Sequence, residues 1–216
     1  MSVSLPNGAL FFIASGYAAS KTMSAVTNAN PAEATLEATH GVVEGDFIEV
    51  TSGWSRLNNK IVRAGTVATN DVELEGIDSS LTSIYAAGSG AGSVRKITGW
   101  TQLQQVLGNS SSGGEQQFAT YQFLEDDQET RIPTTKSAAG LEIQIADDPT
   151  LAGYILASTA NDDRLRRAIK VVLPNGSVLL YNAYVSLNKT PSLTKNEVMA
   201  CQVTLSFLNE PVRYAS

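Results

Sequence analysis

The chain is poor in the residues that perform chemistry. It holds one histidine and one cysteine in 216 residues. A single cysteine, Cys201, excludes an intramolecular disulfide and fits a reducing compartment. It falls on the apolar side of an alternating segment, where a thiol behaves as a small hydrophobe. The histidine, His40, precedes Gly41 in a turn-like stretch, and nothing in the sequence supports pairing it with a serine or with the cysteine. With so few imidazole and thiol groups, only carboxylates are left as metal ligands. The run "EDDQE" (Glu125, Asp126, Asp127, Glu129) lacks the spacing and the glycine of an EF-hand, and reads as a solvated acidic loop. "GSGAGS" at 88–93 does not match G-x-G-x-x-G, no helix follows it, and it reads as a flexible linker. No cofactor and no enzymatic activity are expected.

Charge is also scarce. Charged residues make up 17%, below the roughly 25% usual for soluble domains. Net charge is −6 and the sequence pI is near 4.8. A basic footprint for phosphate is missing, which argues against sequence-specific nucleic-acid binding. Long hydrophobic runs are missing too. The N-terminal apolar run covers only 9–14 and lacks a basic flank, so it reads neither as a signal peptide nor as a membrane span.

What the chain does have is strand pattern. Hydrophobic residues reach 43%, and Gly, Ser, Thr, Asn and Ala are abundant, as in turn-rich β proteins. Residues 30–97 break into short strand-like pieces ("ATLEATHGVVEGDFIEVTSGW", "KIVRAGTVA", "DVELEGI") separated by turn signals. "GWTQLQQVLG" is ambiguous between helix and strand. "QQFATYQFL" puts Tyr121 and Phe123 on one face. "EDDQETRIPTTKSAAG" reads as a long polar loop. "LEIQI" alternates, with Leu141, Ile143 and Ile145 inward.

"DDPTLAGYILASTAND" is the helix of the chain. Asp148 suits the N-cap and Pro149 the first helical position. Leu151, Tyr154, Ile155 and Ser158 or Thr159 fall at helical spacing, and Asn161 marks a stop. Three strands follow. They carry Arg167, Ile169, Val171 and Leu173; then Leu179, Tyr181, Ala183, Val185 and Leu187; then Met199, Cys201, Val203, Leu205 and Phe207 on one face. "LPNGS" turns the first into the second. The pattern predicts an antiparallel sheet buried on one side with a helix against it. "RLRR" (Arg164, Arg166, Arg167) is the basic cluster at the helix-to-strand step.

The order of these pieces resembles the major tail tube protein family of long, non-contractile, siphovirus-type phage tails. The resemblance is carried by "LAGYILASTAND", "KVVLPNGS", "AYVSLNKTPSLTKNEVMACQVTLSF" and "NEPVR", preceded by strand, acidic loop, strand and helix in "QFATYQFLEDDQETRIPTTKSAAGLEIQIADDP". It covers 98–216 well and 1–29 loosely. Residues 30–97 depart from the pattern and resemble a small β module that recurs in phage structural proteins. They hold nine acids against five bases, leaving twelve and ten for the remainder, so −4 of the −6 sits in this stretch.

The resemblance implies a mainly β protein: an antiparallel β-sandwich with one flanking helix, formed by 1–29 and 98–216, plus an all-β insert at 30–97 on the tube exterior. It implies homohexameric rings that stack around a tape-measure protein, with tail-tip and terminator proteins as further partners. DNA would pass through without specific binding, and no membrane is involved. Assembly would take place in the host cytoplasm and the product would sit in the virion tail. The family's ring-to-ring loop maps to Glu125, Asp126, Asp127, Glu129, Arg131 and Lys136. Arg164, Arg166 and Arg167 are candidate contacts between subunits. A tail terminator or head–tail connector of the same fold, and a carbohydrate-binding or adhesion module, are the alternative readings.

Overall fold

The computed structural model describes residues 7–215; residues 1–6 of the N-terminal stretch read above lie outside them. The described chain is mainly β, with a single helix. Its strands are β1 Leu10–Tyr17, β2 Lys21–Val26, β3 Ala32–Leu36, β4 Phe47–Ser52, β5 Lys60–Ala68, β6 Asp71–Leu74, β7 Gly92–Leu103, β8 Val106–Ser112, β9 Gln116–Tyr121, β10 Thr130–Lys136, β11 Gly140–Ala146, β12 Arg166–Val172, β13 Val178–Asn188, β14 Ala200–Phe207 and β15 Val212–Tyr214. The helix, α1, runs Ala152–Asp163.

Six of the strands close on themselves. The order β2-β3-β6-β5-β4-β7 returns to β2 through a further β2–β7 ladder, and every pairing is antiparallel. Closure removes free edges, so this barrel satisfies its own backbone. Met23, Ala34, Leu36, Ile48, Val50, Val62, Val72 and Leu74 fill it. The stretch expected to be a flexible linker is structural instead. Gly92 begins β7 and is paired on both sides, to Met23 and to Ser52. A Cβ there would lie 2.0 Å from the Thr51 carbonyl oxygen, so no larger residue fits between the two strands. Gly90 packs on the Trp54 ring, and the Trp54 indole N–H donates to the Ala86 carbonyl at 2.7 Å.

All the other strands except β9 and β10, which pair only with each other, form one sheet with β7 in the order β7-β1-β12-β13-β14-β11-β8, with β15 added to β13. β2 lies before residue 29 and β7 runs across residue 97, so the barrel and this sheet share a continuous strand. Most of the inward sets read from the sequence belong to the second core: Leu141, Ile143, Ile145, Ile169, Val171, Ala183, Val185, Leu187, Cys201, Val203 and Leu205, with Phe11 and Ile13 from β1; Met199, read with them, lies just before β14 and is exposed. The expectation that the terminal strands bury one side holds for β14 but not for β12 or the first half of β13. Ala168 and Leu180, on their reverse faces, are buried in the barrel's core, because the barrel packs there. "GWTQLQQVLG" resolves as strand on both sides of a break at Gln105 (φ 55°).

The helix starts later than expected and shows the core a different stripe. Asp148 is not its N-cap. Its carboxylate closes a local turn, accepting from the Thr150 N–H and hydroxyl at 3.0 and 2.6 Å, and Leu151 is the cap, without a side-chain hydrogen bond. Gly153, Ala157 and Ala160 are the buried residues, while Ile155 is exposed. Small residues are selected because the helix lies close on the sheet. Asn161 does not stop the helix, which ends at Arg164 in the left-handed conformation. Asn161 Oδ1 instead accepts from the Leu187 N–H at 3.1 Å and ties the helix to β13.

Candidate assembly surfaces

Glu49 of β4 is 1% exposed and sits where barrel meets sheet. Its carboxylate accepts from Arg95 of β7, from Arg166 Nε at 2.6 Å and from Asn182 Nδ2 at 2.9 Å. Asn182 also donates to the Asn59 carbonyl at 2.9 Å. Beside this hub, Arg95 stacks on the Tyr17 ring, whose hydroxyl accepts from the Ala168 N–H. Lys170 Nζ lies 4.6–5.3 Å from the ring centres of Phe12, Phe47 and Trp100, and burial lowers its pKa.

The "RLRR" cluster is therefore divided. Arg166 is held by Glu49, and Arg167 by Asp163 four residues back. Arg164 is the helix C-cap and makes no ion pair among the described residues. Arg95, Arg164, Arg166, Arg167, Leu165 and Tyr184 line a shallow cleft at this corner. Sequence reading missed Glu49. Its signal was a carboxylate inside the otherwise apolar run "FIEV".

Neither residue considered for catalysis is placed for it. His40 bridges a turn, with Nδ1 accepting from the Val42 N–H at 3.1 Å and Nε2 against the Thr69 carbonyl at 2.9 Å. Cys201 is buried, and burial together with the facing Asp147 carboxylate, 3.4 Å from Sγ, raises its pKa.

Two surfaces do lack internal partners. The first is the outer edge of β8. Its inner edge pairs with β11 from Val106 to Ser112, and among the described residues no strand covers the other side. The strand reads Val-Leu-Gly-Asn-Ser-Ser-Ser and carries no charge and no proline. Monomeric proteins usually block such an edge with charge, proline or a bulge; here a register shift leaves Leu107 unpaired near the start of the strand, and the regular stretch from Gly108 to Ser112 beyond it is an open template for strand addition.

The second surface is a hairpin. Residues 116–136, expected to be strand followed by loop, form a separate two-stranded sheet of β9 and β10, with Thr130 opposite Tyr121 and Lys136 opposite Gln116. The "ETRIPTTK" stretch pairs because Thr and Ile support strand, and Pro133 is tolerated on an edge. Glu125, Asp126, Asp127 and Glu129 lie in the exposed connection at 122–129; Arg131 and Lys136 lie on β10. The hairpin has no core. Phe118, Tyr121, Phe123, Leu124 and Ile132 are all exposed, Leu124 completely, and Tyr121 meets Phe123 edge-on at 5.3 Å. An isolated two-stranded hairpin is at best marginally stable in water. This one is anchored at its base, where Lys136 pairs with Glu210 and Glu115 exchanges hydrogen bonds with Ser137. Gly113 and Gly114, at φ 71° and 80°, turn the chain out of β8. A Cβ on Gly113 would lie 1.8 Å from the Ala138 carbonyl oxygen, so the kink requires glycine.

A free strand edge and a coreless apolar hairpin are features of a subunit built to meet other chains. The model of the family described as "Phage tail tube protein, TTP" matches residues 52–216. The chain belongs to the phage tail tube protein family. No curated protein matches it. Among solved structures it is similar to the sheath/tube terminator of an extracellular contractile injection system, PVC, in the extended state, at 16% identity and TM-score 0.36, over 49% of this chain and 84% of that chain. It is also similar to a chain of the anti-feeding prophage baseplate, at 8% identity and TM-score 0.41, over 55% and 86%. A third is the tube-terminating cap of the anti-feeding prophage, at 19% identity and TM-score 0.36, over 50% and 79%. Likenesses this distant carry no assignment of role. Tail tube family membership makes the protein a structural component of the phage tail and not an enzyme. The family match also takes in β5, β6 and the start of β7, beyond the 98–216 stretch the sequence resemblance covered well.

Proposed function

We propose that this chain is the major tail tube subunit of a long non-contractile tail. Copies join side by side through the β8 edge into closed rings, taken as hexamers from the family resemblance. Rings stack through the β9–β10 hairpin around a tape-measure protein, and the lumen later conducts DNA. The observation that carries the reading is the uncovered, uncharged edge of β8, which gains its missing ladder in a ring and is a liability outside one. The barrel needs no partner for its own edges, which suits it to the outer wall, since a body of its size in the lumen would obstruct DNA.

The test replaces 122–129 by a two-residue Asn-Gly turn and follows concentrated protein by negative-stain microscopy. The shortened chain keeps its circular dichroism and forms rings that do not stack, while the intact chain forms hollow tubes. Normal tubes from the shortened chain would overturn the hairpin's role. Single rings from the intact chain that never lengthen would favour a tail terminator of the same fold.

A further inference from the structure

The strand register shows where the stacking hairpin of one ring would land on the next. β11 and β14 run side by side with Gly140 opposite Ser206 at one end and Ala146 opposite Ala200 at the other. The hairpin leaves at the Gly140 end, where the Phe207 N–H donates to the Ala139 carbonyl. The 189–199 connection closes the Ala200 end, where the Asp147 N–H donates to the Met199 carbonyl and the Ser192 N–H to the Ala200 carbonyl. Six residue steps of strand separate the two ends, about 20 Å. Hairpin and connection thus project from opposite ends of the same ladder.

The far end is shaped to receive something. A groove of about 590 Å³ opens there, lined by Leu107 of the β8 edge, Asn188, Pro191, Val198 and Gln202 among others. Leu107 and Val198 of its lining are exposed, as are Leu193 and Met199 next to lining residues in the chain, an apolar concentration at odds with an isolated surface. The hairpin tip at the other end exposes Tyr121, Phe123 and Leu124. Charge agrees in sign. Residues 122–129 hold four acids and no base, for −4, whereas 188–199 hold Lys189, Lys195 and Glu197, for +1 in a chain of net −6; Lys189 pairs with Asp162 and Glu197 lines the groove, so Lys195 is the cation left for the tip among the described residues.

We propose that the groove roofed by 189–199 is the receptor for the 122–129 tip of a second copy, with Phe123 and Leu124 entering beside Val198 and the acidic residues facing Lys195. This rests on the stacking role given to the hairpin and adds the surface it binds. The contact joins two different patches, so it is head-to-tail and leaves a free tip at one end of a stack and a free groove at the other. Such an interface propagates without closing, which is what growth of a tube requires.

The test is disulfide trapping. Leu124→Cys is combined with either Leu193→Cys or Val198→Cys in a Cys201→Ala background, and assembled protein is oxidised with diamide. A ladder of linked chains is expected from at least one combination. Leu124→Cys combined with Val43→Cys, an exposed position next to β4 of the barrel, should give monomers only. Val198→Asp alone should raise the concentration needed for stacking by about tenfold while rings still form. Tubes that form without linkage at 193 or 198, or Val198→Asp tubes of normal growth, would overturn the groove assignment and leave the stacking role standing. An intact chain that never stacks would overturn both.

Discussion

Replacing Glu49 by Gln tests whether barrel and sheet form one body. The substitution keeps the shape but removes the charge that Arg95 and Arg166 share, and places an amide against donors. Removing one partner of a buried ion pair costs about 3–5 kcal/mol. Both arginines are about one-third exposed at their side chains, so each can turn partly to water. Asn182 keeps its bond to the Asn59 carbonyl. These two facts place the loss near the low end, about 3 kcal/mol. At about 2–4 °C per kcal/mol for a chain of this size, Tm falls by about 6–12 °C. Urea unfolding followed by tryptophan fluorescence is suited to the measurement, because Trp54 lies in the barrel core and Trp100 in β7 at the junction. A triple variant, Glu49→Leu with Arg95→Met and Arg166→Met, should recover much of the loss, since an apolar replacement of a buried charge cluster is often neutral. A Glu49→Gln loss under about 1 kcal/mol would refute the reasoning and mean that the two bodies touch without depending on each other.

Tyr214→Phe should destabilise the chain by about 1–3 kcal/mol in the same assay, because the Tyr214 hydroxyl donates to the Glu75 carbonyl and accepts from the Arg63 N–H at 2.9 and 2.8 Å, and both would be left unpaired. Burial pushes this phenol up to about 12, so its spectroscopic titration should lie well above the ordinary phenol value of about 10. Glu37 should titrate near 2, held below its ordinary 4.5 first by the Thr22 N–H and then by Lys21. Its contribution is therefore complete above about pH 4.5 and lost as pH falls through about 2; a carboxylate NMR midpoint above 4 would contradict that geometry. Ser110→Lys on the β8 edge should leave the monomer folded and abolish ring formation, read by analytical ultracentrifugation; rings of normal size would show that this edge is not the joint.

The terminal strands were legible because period-two alternation reports a core face directly, and Ile169, Leu179, Val203 and Phe207 lie on the face the pattern named. The reverse burial of Ala168 and Leu180 was not legible, because it depends on a barrel built from strands far earlier in the sequence. The helix shows the same limit. Its large apolar residues pointed to one stripe, yet Gly153, Ala157 and Ala160 make the contact, since a close approach to the sheet selects volume and not hydrophobicity. The glycines at 88–93 read as flexible through composition, although strand crowding is what requires them. Of the site, the acidic run was visible as a surface feature. That it tips a hairpin followed from the pairing of Thr130–Lys136 with β9, which a polar stretch containing Pro133 conceals. The β8 edge could not be seen at all, because an uncharged short strand becomes an assembly surface only when its place in the sheet order is known.

Cryo-electron microscopy of tubes grown from the intact chain tests the central claim most directly. The account predicts stacked rings in which the Val106–Ser112 edge of each subunit is hydrogen-bonded to a strand of its neighbour, with the β2–β7 barrel on the outer surface. A tube wall in which the β8 edge faces solvent, or a chain that stays monomeric at every concentration reached, would contradict it.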